Sequence, residues 1–176
     1  MDVVVCPLSA VDQVIARHRP SHLISLLSAE ELFPMPGAIA PERHLKVASN
    51  DIVAPADGLV APAAAHALAV VDFATAWDRR APIAIHCFAG ISRSTAAALI
   101  VLCALEPDCD EGTIAAELRA AAPFAAPNRL LVSHGDAVLG RGGRLIAAAE
   151  AMGSPVLCAE GRPFALRLRT PPGGAP

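Results

Sequence analysis

The sequence predicts one α/β domain: a central sheet of four to five mostly parallel strands with helices on both faces. Three observations lead there. At 176 residues the chain has the length of about one domain. Short apolar runs alternate along it with longer helical patterns. Several of those runs lack a polar face, as strands covered by helices on both sides do.

In chain order, residues 2–6 read as a buried strand, and Ser9 with Asp12 resembles a capping box opening a helix that Pro20 stops. Residues 22–27 and 44–48 are further strands, the latter with Leu45 and Val47 on one face. A loop over 49–60 carries Asp51 and Asp57. Pro62 suits the first turn of a helix running to about Arg80, with Val70, Phe73, Ala74 and Trp77 spaced as a core stripe. Residues 82–86 form another buried strand, and helices follow over 94–105, 110–121, 127–139 and 144–152. Residues 164–169 alternate like an edge strand. The expected division is a domain over 1–155 and an extension over 156–176, ending in a Pro/Gly-rich tail over 170–176 that frays.

Composition narrows the classes of function. The chain is 54% hydrophobic with a mean hydropathy of +0.48, yet its longest stretch without Asp, Glu, Lys or Arg spans residues 58–71, too short to cross a bilayer. Alanine supplies about one residue in five, which favours helix without adding large apolar area. A net charge of −3 gives no basic field for nucleic acid or an anionic membrane, so neither is an expected partner. Met1-Asp2-Val3 has no positive region before its apolar residues, and cytoplasm is the expected location. The five cysteines, Cys6, Cys87, Cys103, Cys109 and Cys158, are odd in number and form no C-x-x-C pair, which indicates neither a disulfide framework nor a zinc site.

The stretch that carries chemistry is His86-Cys87-Phe88-Ala89-Gly90-Ile91-Ser92-Arg93-Ser94. A bare Cys-x5-Arg arises by chance about one time in three in such a chain, but adding the His, Gly and Ser positions brings this to roughly one in ten thousand. The segment lies between a buried strand and an alanine-rich helix, where α/β folds place anion-binding loops. Phe88, Ala89, Gly90, Ile91 and Ser92 are few enough to curl into a cradle of N–H groups, with Gly90 free to take a positive φ. Arg93 offers a planar fork to two oxygens of a bound anion, and the helix start adds its dipole. A thiol in that field ionises more readily, which makes Cys87 the candidate nucleophile. Ser94 is placed to donate to its sulfur, and His86 to hold the loop backbone.

These residues resemble the signature of the cysteine-dependent protein tyrosine phosphatase superfamily, H-C-x-x-G-x-x-R-[S/T], matched at every fixed position from His86 to Ser94. The order of elements over 2–152 is similar to the compact dual-specificity type, Ala126-Pro127-Asn128 resembles a Pro-Asn found there, and the chain reads as a bacterial representative. The resemblance implies hydrolysis of a phosphate monoester through a cysteinyl-phosphate intermediate, with no metal and no cofactor. It also implies an aspartate general acid some thirty-odd residues before the cysteine. Asp51 and Asp57 lie 36 and 30 positions before Cys87. Asp51 is preferred because it closely follows a strand, while Asp57-Gly58 has the composition of a turn.

The implied partner is a phosphorylated protein or a small phosphate ester, with phosphate, sulfate or vanadate binding the same loop. The loop has no lysine or second arginine for a highly charged inositol phosphate, and the absence of tyrosine argues against a strict phosphotyrosine pocket. Two alternatives stay open: a phosphate-binding module without turnover, and a phosphatase of a small-molecule or lipid phosphate. Elsewhere the expectation is structural. His134 and Asp136 lie on a helix face, and Asp108, Asp110 and Glu111 cap a helix.

Overall fold

Runs that are apolar on both faces need cover on both, and in the computed structural model, which describes residues 1–31 and 36–169, they become the inner strands of one sheet. The strands are β1 (Asp2–Pro7), β2 (His22–Leu27), β3 (His44–Ala48), β4 (Ile83–Cys87) and β5 (Phe164–Arg167), in the order β3-β2-β4-β1-β5. β1 to β4 are parallel, and β5 closes the β1 edge antiparallel. The succession of strands and helices along the chain is the one read from the sequence.

Strand alternation sorts side chains into two layers. Val3, Val5, Ile24, Leu26, Ile85 and Cys87 face the main core, built with α2 (Ala64–Ala76), α3 (Arg93–Leu105), α4 (Glu111–Ala121), α5 (Arg129–Val138) and α6 (Arg144–Ala151). Val4, Cys6, Leu23 and Ala84 face the other way, under α1 (Val11–His18) and Ile39. Of the 13 residues of α3, 12 are buried, which makes it the central helix, apolar all round. Ala96, Ala97 and Ala98 let its neighbours approach closely, while Leu99 and Ile100 at 0% exposure each contribute about 1.5–3 kcal/mol of burial. Because α3 springs from the carboxyl end of the middle strand β4, the intervening loop opens at the centre of the sheet's carboxyl edge.

Several boundaries differ from the sequence reading for identifiable reasons. Ser9 does not cap α1: residues Leu8–Ala10 form a 3-10 turn, and the Ser9 hydroxyl donates to Glu160 Oε1 at 2.9 Å. α2 stops at Ala76 and not near Arg80, because Trp77 turns extended and its indole Nε1 donates to the Ala81 carbonyl at 2.9 Å. Asp78 Oδ1 then accepts from Arg80 N, closing the turn into β4. α5 begins after Asn128, whose Oδ1 accepts from Leu131 N as an N-cap. The 170–176 tail lies outside the described residues. Among the described residues no helix is long and apolar enough to cross a membrane.

The acidic residues singled out in sequence hold helices together. Asp110 caps α4 through Thr113 N, and buried Glu111 pairs with Arg141 and Arg144 at 3.2 Å each. Asp136, 5% exposed, accepts from Gly143 N at 2.7 Å and Leu145 N at 3.0 Å, satisfying the start of α6 from α5. Asp136→Ala leaves both amides without an acceptor and lowers unfolding free energy by about 3 kcal/mol in urea titration. Asp136→Asn, which keeps one acceptor oxygen, loses about half as much.

Candidate active site

The loop between β4 and α3 is shaped by where its carbonyls go. Phe88 O accepts from Leu8 N at 3.0 Å, and Ala89 O from Gly161 N at 2.8 Å. Ile91 O accepts from Ala126 N at 3.0 Å, and Ser92 O from Ala96 N at 3.0 Å and Asn128 N at 3.3 Å. Thr95 Oγ1 adds bonds to both Ile91 O and Ser92 O. In a trans peptide the next N–H points opposite to the carbonyl, so these outward commitments turn the N–H groups of Ala89, Gly90, Ser92 and Arg93 inward. Gly90 N accordingly donates to Cys87 Sγ at 3.3 Å. Gly90 has φ +70°, and a Cβ there would sit 2.6 Å from Pro7 N, so both conformation and space demand glycine.

Cys87, where this cradle begins, is 1% exposed, with Ser94 Oγ 3.2 Å from its sulfur. Phe88 is 56% exposed at the rim. The other cysteines stand apart in character: Cys6 and Cys103 are buried, with thiols pushed up to about 12 chiefly by that burial. Cys109 is half-buried and Cys158 exposed, and all five are unbridged.

Arg93 is 4% exposed and held end-on. Its Nη1 donates to Glu31 Oε2 at 3.2 Å and to the Ser49 carbonyl at 2.7 Å, and Nη2 to Glu31 Oε1 at 3.3 Å. Burial alone would raise the Glu31 carboxyl, but the bonds from Arg93 and from the Ser28 backbone outweigh it and hold Glu31 below the usual carboxylate range. The side edge of the guanidinium is different: Nε is buried and has no partner among the described residues. That edge, Nε–H beside the second Nη2–H, is the fork that fits two anion oxygens.

Asp51 is brought to the loop. Its Oδ1 accepts from Ser92 Oγ at 2.7 Å and from Asn128 Nδ2 at 2.8 Å. Asn128 also donates to Ile52 O while capping α5, so one side chain ties the Asp51 segment to a helix end. Asp57 stays exposed in a turn closed by Leu59 N and Ala56 O, next to Gly58 at φ +74°. His86 leaves the sheet on the α1 face, opposite to Cys87, so it reaches the loop only through backbone. Burial holds its ring down at about 4, with the Cys87 backbone pulling weakly the other way. At neutral pH it is uncharged.

Three participants escaped the sequence reading. Glu31 and Ser49 carry no local signal, since nothing short of the tertiary structure brings them to Arg93. Asn128 had one, a Pro-Asn before a helix, but its bond to Asp51 spans 77 positions. Among the described residues no group of three metal-ligating side chains occurs.

No family model and no curated protein matches the chain. Solved structures do. Human DUSP28 superposes with a TM-score of 0.60 at 18% identity, over 79% of this chain and 92% of that one. Cydia pomonella PTP-2 phosphatase gives 0.61 at 17% identity, over 78% and 85%. A mouse protein of the dual specificity phosphatase type, complexed with zinc tungstate, gives 0.58 at 17%, over 83% and 84%. The chain has the α/β fold of these dual-specificity and tyrosine phosphatases.

Proposed function

We propose that the protein is a phosphate monoester hydrolase of the dual-specificity, cysteine-dependent kind, acting on phosphorylated protein through a cysteinyl-phosphate intermediate. The observation that carries this reading is the inward N–H cradle around Cys87 together with the buried, unpartnered Nε of Arg93. Gly90 N is met by the Cys87 sulfur, Arg93 Nε is a buried donor without a partner among the described residues, and a phosphate dianion would supply acceptors to both. The tungstate held by the mouse fold relative is an oxyanion of similar shape.

Each residue then has a task. The Cys87 thiolate attacks phosphorus, and the ester oxygen departs with a proton from Asp51. Because Asp51 Oδ1 already accepts two hydrogen bonds, Oδ2 is the oxygen left to carry that proton. The phosphoryl group now rests on sulfur. Water attacks phosphorus, returns a proton to Asp51 Oδ2, and the sulfur leaves as thiolate with the Ser94 hydroxyl donating to it at 3.2 Å. Phe88, Ala89, Gly90, Ile91 and Ser92 hold the phosphoryl oxygens throughout, as does Arg93. No metal or cofactor enters these steps. A thiol nucleophile of this kind belongs in a reducing compartment, which supports the cytoplasm as the site of action.

A peptide substrate is supported by a groove of about 820 Å³ that begins at Asp51, Ser92 and Asn128 and continues past Val53, Arg129 and Pro155. Its lining is mixed, with exposed Arg129 at the start of α5 beside the reacting end. Such a channel fits extended backbone flanking a phosphorylated residue, with a preference for acidic neighbours.

With p-nitrophenyl phosphate, Cys87→Ser abolishes turnover, Asp51→Asn lowers kcat by about 10²–10³, and Asp57→Ala changes it by less than about twofold. A wild-type protein that binds vanadate but turns over no phosphate ester at mildly acidic pH would replace this reading with a phosphate-binding module. On acidic phosphopeptides Arg129→Glu lowers kcat/KM by about tenfold, while turnover of p-nitrophenyl phosphate is unchanged. Equal losses on both substrates remove the groove from the account.

A further inference from the structure

A sheet of five strands is wider than one helix. At about 4.8 Å between strands it spans roughly 19 Å, whereas a helix with its side chains is about 10 Å across. On the face opposite Cys87, α1 packs over Val4, Cys6, Leu23 and Ala84 of β1, β2 and β4, and β5 lies beyond its cover. Ala165, paired with Val4 and so on that same face, is exposed although Val4 is fully buried. Between helix and strand lies a cleft of about 420 Å³, with Val14, Arg17 and His18 of α1 on one wall and Arg162, Phe164 and Ala165 on the other. That is the size of a ligand cleft.

The cleft is basic without being paired. Ion pairs among the described residues use Arg93, Arg141, Arg144 and Arg169, while Arg17 and Arg162 are exposed and enter none. No carboxylate is among its lining residues. Asp12 lies in the first turn of α1, away from Arg17 and His18 in the last, and Glu160 accepts from Ser9 Oγ at 2.9 Å. Two arginines are thus gathered in one concavity of a chain with a net charge of −3, a like-charge arrangement that an acidic occupant relieves. The floor is of the opposite character: Val14 is buried, Phe164 half-buried and Ala165 apolar. An inorganic anion leaves that floor uncovered, and a neutral apolar ligand leaves the arginines unmatched. A peptide with alternating acidic and apolar side chains meets both.

The same stretch of chain reaches the anion loop. Gly161, next to Arg162, donates its N–H to Ala89 O at 2.8 Å, and a Cβ on it would lie 3.1 Å from Gly90 O. The cleft shares no lining residue with the groove past Asp51 and Arg129, so it is a separate surface.

We propose that the cleft between α1 and β5 docks an acidic, partly apolar segment of the phosphorylated protein substrate, with Arg17 and Arg162 selecting it. The consequence for turnover rests on the phosphatase reading; the docking itself does not. A segment held there makes delivery of its own phosphorylated residue to Cys87 an intramolecular event, which lowers KM and leaves the chemical step untouched.

The test is fluorescence anisotropy of the full chain with a fluorescein-labelled octapeptide of alternating glutamate and leucine, and with its lysine counterpart. The acidic peptide binds, the lysine peptide does not, and raising salt from about 50 to about 300 mM weakens binding several-fold. Arg17→Glu and Arg162→Glu each weaken it by about fivefold, and Arg129→Glu, in the other groove, changes it by less than about twofold. On a phosphopeptide extended by the acidic segment, the double variant Arg17→Glu/Arg162→Glu raises KM about tenfold with kcat within about twofold, and turnover of p-nitrophenyl phosphate is unchanged. Wild-type peptide binding in the double variant, or an equal loss in Arg129→Glu, overturns the proposal. Binding to phosphatidylserine vesicles without binding to the peptide overturns it too. Peptide binding abolished by the two reversals, in a protein that hydrolyses no phosphate ester, upholds the acidic docking site while removing the phosphatase reading.

Discussion

The carbonyls of Phe88, Ala89, Ile91 and Ser92 are each taken by a donor from elsewhere in the chain: Leu8 after β1, Gly161 before β5, Ala126 and Asn128 before α5, and Ala96 within α3. Peptide planarity converts the commitments of those four carbonyls into an internal array of N–H groups. Everything else in the site depends on that conversion. A loop free to rotate its peptides would satisfy its own donors and offer a neutral surface. Pinned from outside, it presents concentrated positive potential to one point, and the protein achieves this with a net charge of −3. The chain beyond the main helices takes part, since Gly161 packs so near the loop that a Cβ would meet Phe124 at 2.5 Å.

The arginine that completes the cradle is buried at a cost. Removing a guanidinium from water is expensive, and the bond pair to Glu31 with the Ser49 carbonyl offsets it only for the end of the group. The side edge is left with an N–H that has no partner among the described residues. Orphaned buried donors of this kind are rare where stability alone is at stake and concentrate where a ligand completes the bonding. Fixing Glu31 to Arg93 also limits rotation of the fork, so binding an anion loses little side-chain entropy.

The two faces of the sheet divide the work. On one, Cys87 projects toward the main core and the base of α3; on the other, His86 joins Ser25 and His44 under α1. Consecutive residues of β4 must point to opposite sides, so Cys87 and its nearest histidine cannot meet side chain to side chain. Burial keeps that histidine uncharged near pH 7.

Much of this molecule was legible in its sequence. The element order, the parallel sheet and the loop of residues 86–94 are local matters: apolar runs of strand length, helical spacing around Val70 and Ala74, and a glycine three after a cysteine. That Asp51 closely follows a strand was also a local matter, while its bonds to Ser92 and Asn128 were not. Other features depended on packing. Ser9 shows a capping pattern yet bonds Glu160, because a partner 151 positions away competes for its hydroxyl. Trp77 fits a helical stripe yet ends the helix, because its indole finds an acceptor in Ala81. Glu31, Ser49, Asn128, Ser25 and His44 gain their meaning from contacts across the sheet's carboxyl edge or between parallel strands. By itself the sequence determined which segments form strands and helices and which loop carries the Cys-x5-Arg spacing, since propensity and periodicity act within a few residues. Only the tertiary structure decided what holds Arg93, Asp51 and the loop carbonyls in place, because those partners are assembled by strand register and helix packing, which no short stretch of sequence encodes.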